Sequence, residues 1–345
     1  MRFIKPTTSV NVEKSFEVST GHGSVIQKGN VTKDNIYALQ LWNNQEEIRV
    51  YRGSINDPKN LNILKFKGNG AAGHHTQTWE YSGKKNNWFI GTKSVGSWCS
   101  QIARVDIVTD KVDSNSNLDF ARIAWLSHAG KMDYPGDDMV RSEAAVSPNY
   151  EKLLIATIDK AGTGYFSVYH LPKINEALNK VKNLSPEKRY VKINDLEYAL
   201  DSSFKVTEFY NKNADKYDNF VLNSVQGYDL DNKGNIYVTS QKSPDIDKRT
   251  GKFEAHHKQV LKIPTYARND SSRWSTLDLS AAGVVDIKGQ GLHSEVESIQ
   301  IIDENYGYLT VAYHKAKKID KPKNPAEKYY SYTSKNKIYR IKWSD

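Results

Sequence analysis

The sequence has one cysteine, Cys99, so it contains neither an internal disulfide framework nor a multi-cysteine metal site. A reactive thiol needs a base beside it, and GSWCSQIARVD supplies none, so Cys99 is read as a small buried hydrophobe. Long apolar runs are also missing. No stretch approaches the length of a membrane-spanning helix, and MRFIKPTTSV has a basic start without the apolar stretch of a signal peptide. Regularly spaced helical patterns alternating with strands are absent too, which excludes a two-domain α/β architecture. What remains is a polar chain of 345 residues with 38% hydrophobic residues and 21 tyrosines, a composition of globular rather than disordered proteins.

Acid is the scarcer charge. Lys plus Arg number 49 against 40 Asp plus Glu, a formal charge of +9. The excess is concentrated from His314 onward, and HKAKKIDKPKNPAEK reads as a mobile, positively charged arm. Such an arm either keeps the protein in solution or draws it to a polyanion: a cell-wall polymer, an anionic membrane surface or, less favoured, nucleic acid.

The chain repeats itself. VIQKGNVTKDNIYALQL, TQTWEYSGKKNNWFIGTK, SEAAVSPNYEKLLIATID, VQGYDLDNKGNIYVTSQ and SEVESIQIIDENYGYLTVAYH each begin near a Gln or Glu, cross a polar turn and end in a β-branched or aromatic strand. Two further strands follow each of the first four hairpins, as in EIRVYRG and LNILKFK after the first. The fifth has only NKIYRIKW, while VNVEKSFEVS near the N-terminus has no partner. An all-β, five-bladed β-propeller with four-stranded antiparallel blades, closed by the N-terminal strand completing the last blade, accounts for every strand. Residues 1–345 then form one domain, with blades at about 21–68, 74–128, 141–211, 223–281, and 293–345 plus the strand 9–19. An average of 69 residues per blade exceeds the compact repeat of about 40 to 45, so insertions are expected. LPKINEALNKVKNL places Ile174, Leu178 and Val181 at helical spacing, an amphipathic helix expected over the third blade.

Three apparent motifs dissolve in this context. GNGAAG, at Gly68–Gly73, has dinucleotide-binding spacing but leads into a strand-like HHTQTWEY, not a helix. DLDNKG imitates the start of a calcium loop, yet Lys233 occupies a ligand position and Ser240 stands where a bidentate Glu is needed, and a tight turn fits better. GHGSV lacks the second glycine of a nucleophile elbow.

If each hairpin's first strand is innermost, Gln27, Gln77, Glu143, Gln226 and Glu297 gather around the central channel. Two buried carboxylates repel unless a cation, a shared proton or a basic partner relieves them. The five side chains can simply pin neighbouring blades by hydrogen bonds. They can also hold calcium or another divalent cation, with Glu143 and Glu297 as charged ligands, or serve as acid and base for glycan cleavage. The loops entering each innermost strand and leaving each second strand share one face of the disc. Most of the histidines fall there: His22, His74, His75, His256, His257, His293 and His314, with Trp42, Trp79 and Trp98 nearby. That face is the expected binding surface, with zinc capture or pH-sensitive charge as sharper options.

VIQKGNV, GHHTQTWE, WFIG, QIARVD, EAAVSP, LIATI, VQGYDLDNKGNIYVTSQK, AHHKQVLKIP and HSEVESIQII with YLTVAYH together resemble the helveticin J family, large heat-labile bacteriocins of lactic acid bacteria. The likeness runs over nearly the whole chain and thins in the lysine-rich segment near the C-terminus. It implies a secreted antibacterial protein, exported without a recognisable signal peptide and acting on the surface of related bacteria. No catalytic residues carry over. The expected partner is a wall glycan or anionic wall polymer, bound by a monomer. The alternative is a wall-polysaccharide hydrolase or lyase working through Glu143, Glu297 and a metal.

Overall fold

The computed structural model describes residues 4–7, 9–69, 75–93, 100–108, 119–130, 139–215, 218–254, 256–280 and 293–344. Five sheets stand in a ring, a five-bladed β-propeller. From the axis outward, blade 1 runs Ile26–Val31, Asn35–Trp42, Glu47–Ser54 and Asn62–Asn69. Blade 2 runs Trp79–Tyr81, Asn87–Lys93, Ser100–Asp106 and Ala121–Ala124. Met139–Val146, Lys152–Asp159, Gly164–His170 and Leu200–Val206 make blade 3. Blade 4 comprises Tyr228–Leu230, Ile236–Ser240, Gln259–Ile263 and Ser275–Asp278. In blade 5, His293–Asp303, Tyr306–Lys318 and Tyr329–Ser344 are followed outward by the N-terminal strand Ser9–Val18, antiparallel to its neighbour from Ser9↔Ser344 to Val18↔Asn336.

Blades 2 and 4 exceed the expected four strands. Tyr190–Lys192 adds parallel to Ala121–Ala124, and Lys5–Thr7 adds parallel to Ser275–Asp278. Both additions cover an outer edge that would otherwise expose unpaired backbone groups.

The alternating side chains of the strands meet between blades. Each of five hydrophobic clusters among the described residues fills one blade-to-blade interface: Trp79 and Trp88 between blades 1 and 2, Ile155 and Phe89 between 2 and 3, Phe166 and Tyr228 between 3 and 4, Tyr237 and Leu309 between 4 and 5, and Ile338 and Ile26 between 5 and 1. Fully burying one such side chain is worth roughly 1.5–3 kcal/mol. The last interface closes the ring, and it is tight. A Cβ on Gly29 would meet Ile338 Cδ1 and Thr310 Oγ1, each at 2.7 Å, so glycine lets blade 1 approach blade 5. In return Gly29 N donates to Thr310 Oγ1 at 3.1 Å.

Two expectations need correction. The helix Leu171–Val181 exists with the expected buried face, but that face packs with blade 2 as well as blade 3, because Arg104 of blade 2 donates to Asn175 Oδ1 at 2.8 Å and to Asn179 Oδ1 at 2.6 Å. The lysine-rich segment is no mobile arm. Its first part extends the second strand of blade 5, pairing Lys315↔Tyr332, Lys317↔Tyr330 and Lys318↔Tyr329. A blade 4 insertion, Asp245–Ile246 with Phe253–Glu254, props this ribbon: the Lys248 carbonyl accepts from Lys328 N at 2.8 Å and Tyr329 N at 2.9 Å. Paired backbone, not composition, decided the outcome.

Candidate functional site

The predicted ring of side chains does assemble. Gln77 Nε2 lies 3.2 Å from Gln27 Oε1, 3.3 Å from Gln226 Oε1 and 3.0 Å from Glu297 Oε2, and Gln77 N donates to both oxygens of Glu143 at 3.0 Å. Local irregularities aim these groups at the axis. Gln27 and Glu297 sit at register shifts in their innermost strands, where a bulge breaks the alternation, while Gln77 and Gln226 precede theirs. The bulge at Glu297 also separates it from Glu295, the other acid near the start of that strand. Glu297 faces the axis, and Glu295 accepts from Ser243 and pairs with His314 Nε2 at 2.8 Å.

The hub's positive partner is Arg141, which sequence reasoning missed. Its Nη2 donates to Gln77 Oε1 at 3.0 Å and to the Gln226 carbonyl at 2.8 Å, and lies 4.0 Å from Glu143 Oε1. Because Gln77 Oε1 accepts from Arg141, its NH2 must face the other three oxygens. Burial pushes Glu143 up to about 7, with Arg141 opposing. Burial, with the charge of Glu295, holds Glu297 well above the usual carboxylate range. His75 is lowered to about 4 by burial and by Arg141.

This donor set does not fit a cation. The centre of the ring holds an amide donor, and both Glu143 oxygens are taken up by Gln77 N and Thr78 Oγ1. Among the described residues no group of three or more His, Cys, Asp or Glu side chains could hold a metal ion. The ring is a bolt between blades.

Most of the predicted rim histidines are held by ordinary partners. His22 packs edge-on against Trp42 at 4.4 Å, His256 Nε2 lies 3.0 Å from Asp245, His257 Nδ1 lies 3.1 Å from Ser280 Oγ, and His293 stacks on Phe253 at 4.4 Å. Trp79 leaves the rim altogether, fully buried and stacked on Trp88 at 4.8 Å. His74, Trp98 and Cys99 lie outside the described residues.

The opposite mouth of the channel, formed by the turns within the hairpins, holds what the sequence reading did not see. A cavity of about 580 Å³ opens there, lined from all five blades. Its floor carries Glu80 and Asp229 beside Lys28, whose Nζ lies 2.7 Å from Glu80 Oε1, 4.0 Å from Asp229 Oδ2 and 2.8 Å from the Ile299 carbonyl it donates to. Burial alone would lower Lys28, but the two acids more than reverse this, and it is raised. Burial raises Glu80 and holds Asp229 well above its ordinary range, each opposed by Lys28. One ammonium compensates one of two carboxylates, so this pair retains a proton where exposed acids have lost theirs. The signal was a charge inside a short apolar strand, in VIQKGN, TWEY and GYDLD.

Tyr150 stands at this mouth, 44% exposed, with φ of 60°. A bulky residue rarely adopts that conformation. The turn Ser147–Tyr150 holds it, with Tyr150 N donating to Ser147 O at 2.8 Å, and Gly83 makes room, since a Cβ there would fall 2.7 Å from Tyr150 Cβ. Tyr81 meets the Tyr150 ring edge-on at 5.2 Å.

Comparison with known proteins decides the family. The family model for bacteriocin helveticin-J matches residues 6–344. Bacteriocin helveticin-J of Lactobacillus helveticus is 42% identical over 363 residues, covering all of both chains. This chain belongs to the helveticin-J bacteriocin family. Family membership makes the resemblance seen in its phrases a property of the whole chain. Among solved structures, a thermostable family-43 glycoside hydrolase overlays with a TM-score of 0.46 at 10% identity, covering 95% of this chain and 92% of the other. An α-L-arabinofuranosidase from Podospora anserina gives 0.44 at 9%, covering 94% and 95%. Likenesses at this level assign no activity to this member of the helveticin-J family. No described helix is long and apolar enough to cross a membrane.

Proposed function

We propose that this helveticin-J family protein acts outside its producing cell, as a monomer, by binding an anionic polymer or glycan of the target-cell wall through the histidine-bearing face. One observation carries the reading. On that face the ribbon of blade 5 sets Lys315 opposite Tyr332 and Lys317 opposite Tyr330, and directly opposed residues share a face of a β-ladder. All four are exposed. Exposed Lys248, Arg249 and Lys252 stand on the blade 4 insertion that props the ribbon. Ammonium groups beside tyrosine rings suit a polymer with phosphate or carboxylate groups along sugar or polyol units, and a propped ribbon meets it with little ordering cost.

Retention on purified walls of a susceptible strain tests this. Binding at low ionic strength that weakens as salt is added, and that falls in Lys315→Glu/Lys317→Glu, is the expected outcome. No retention at low salt overturns the reading. Glu143 and Glu297 give the hydrolase alternative little support: both are almost fully buried and neither lines the mouth cavity.

A further inference from the structure

We propose that the cavity on the opposite mouth of the channel is a second, separate binding site, for a pyranose sugar bearing an anionic group such as phosphate. Its volume, about 580 Å³, falls within the ~300–1,000 Å³ typical of small-molecule sites. The walls and floor divide by chemistry. Tyr81 and Tyr150 give the lining aromatic faces, which the C–H face of a sugar ring covers well. Glu80 and Asp229, 5% and 1% exposed, are among the lining residues, and carboxyl groups are the acceptors that match sugar hydroxyls. Lys33, Arg52 and Lys85 also line the cavity and carry the positive charge that an anionic substituent needs.

Two features mark this as a built site rather than leftover space. The acids are held in place from behind: Lys28 pairs with Glu80, and Asp229 accepts from Ile301 N at 2.6 Å and from Leu230 N at 2.8 Å. Tyr150 keeps a half-exposed ring at the rim in a backbone conformation its side chain disfavours, and such outliers concentrate where a ligand is gripped. Neither the ribbon nor any histidine takes part, so this site and the wall-binding face can fail independently.

Calorimetric titration of the intact protein with glucose 1-phosphate, N-acetylglucosamine 1-phosphate, the two free sugars and inorganic phosphate tests the assignment. A sugar phosphate is expected to bind at one site per chain, roughly tenfold more tightly than its free sugar or phosphate alone. Tyr150→Ala, at an exposed position, is expected to weaken that binding severalfold with the melting temperature retained. Lys33→Ala/Lys85→Ala should erase the preference for the phosphorylated sugar while leaving the weak binding of the neutral one. Three results overturn the proposal: no saturable binding of either sugar phosphate at millimolar concentration, phosphate alone binding as tightly as the sugar phosphate, or Tyr150→Ala binding like the wild type. Retention on walls that falls in Lys315→Glu/Lys317→Glu, together with no calorimetric binding of either sugar phosphate, would leave the wall-binding reading standing without this one.

Discussion

Two acid pairs lie buried along one axis, and they come to opposite ends. At the hub, Glu143 and Glu297 are bound into amides, a hydroxyl and the Arg141 network, so the protein itself consumes their capacity to accept hydrogen bonds. At the mouth, Glu80 and Asp229 share Lys28 and border a cavity. Burial of a carboxyl is common to both; open space beside it belongs to one. A perturbed acid therefore marks a place worth inspecting, and the surrounding volume determines whether a ligand can reach it.

Removing the mouth's cation should produce the largest effect. Lys28→Met leaves two acids buried without their ammonium, and urea unfolding is expected to show a loss of about 3–5 kcal/mol. A loss below about 1 kcal/mol would mean that both acids already rest neutral, making the mouth electrostatically like the hub.

Next is the pH dependence of the hub. An acid raised in the fold keeps a proton that the unfolded chain has released, so its contribution is fullest below the unfolded value and fades as pH climbs through the folded one. For Glu143 that window runs from 4.5 to about 7, worth on the order of 3 kcal/mol. His75, lowered from 6.5 to about 4, works in the other sense, its contribution lost as pH falls from 6.5 through 4. Comparing wild type with Glu143→Gln across pH cancels His75. The stability difference is expected to move toward the variant as pH rises through that window, and a constant difference would contradict the buried-proton account.

A smaller effect is expected at Tyr150. Tyr150→Asn places there a residue that tolerates positive φ, so thermal stability should stay within about 0.5 kcal/mol while sugar-phosphate affinity falls. Loss of stability instead would make the tyrosine a packing residue, as at the hub. The smallest effect is none: treatment with a chelator should leave the melting temperature unchanged, since the hub is filled by Gln77. A drop on chelation would restore the cation reading.

The blades were legible because hairpins with period-two patterning recur, and because one missing and one spare strand could be matched. The hub was legible for the same reason: Gln27, Gln77, Glu143, Gln226 and Glu297 hold equivalent places in the repeat. Arg141 and Lys28 escaped because each occurs in one repeat; Glu80 and Asp229 share a place, three residues after Gln77 and Gln226, but only those two repeats carry an acid there, and only closure of the ring brings them to Lys28. The lysine-rich segment misled because composition reports charge and not pairing; its order comes from a hairpin about eighty residues upstream, through Lys248 with Lys328 and Tyr329. Tyr150 was hidden because its backbone conformation depends on Gly83 in another blade.

The strand Ser9–Val18 is made before any blade is complete and finds its partner, Tyr329–Ser344, only after the other described blade strands have been made. Until then the disc is a broken circle, with blade 1 lacking the neighbour that buries Ile26 and Gly29. A chain lacking either of these two strands therefore loses more than a few residues: it forfeits the seam that turns an open arc into a wheel.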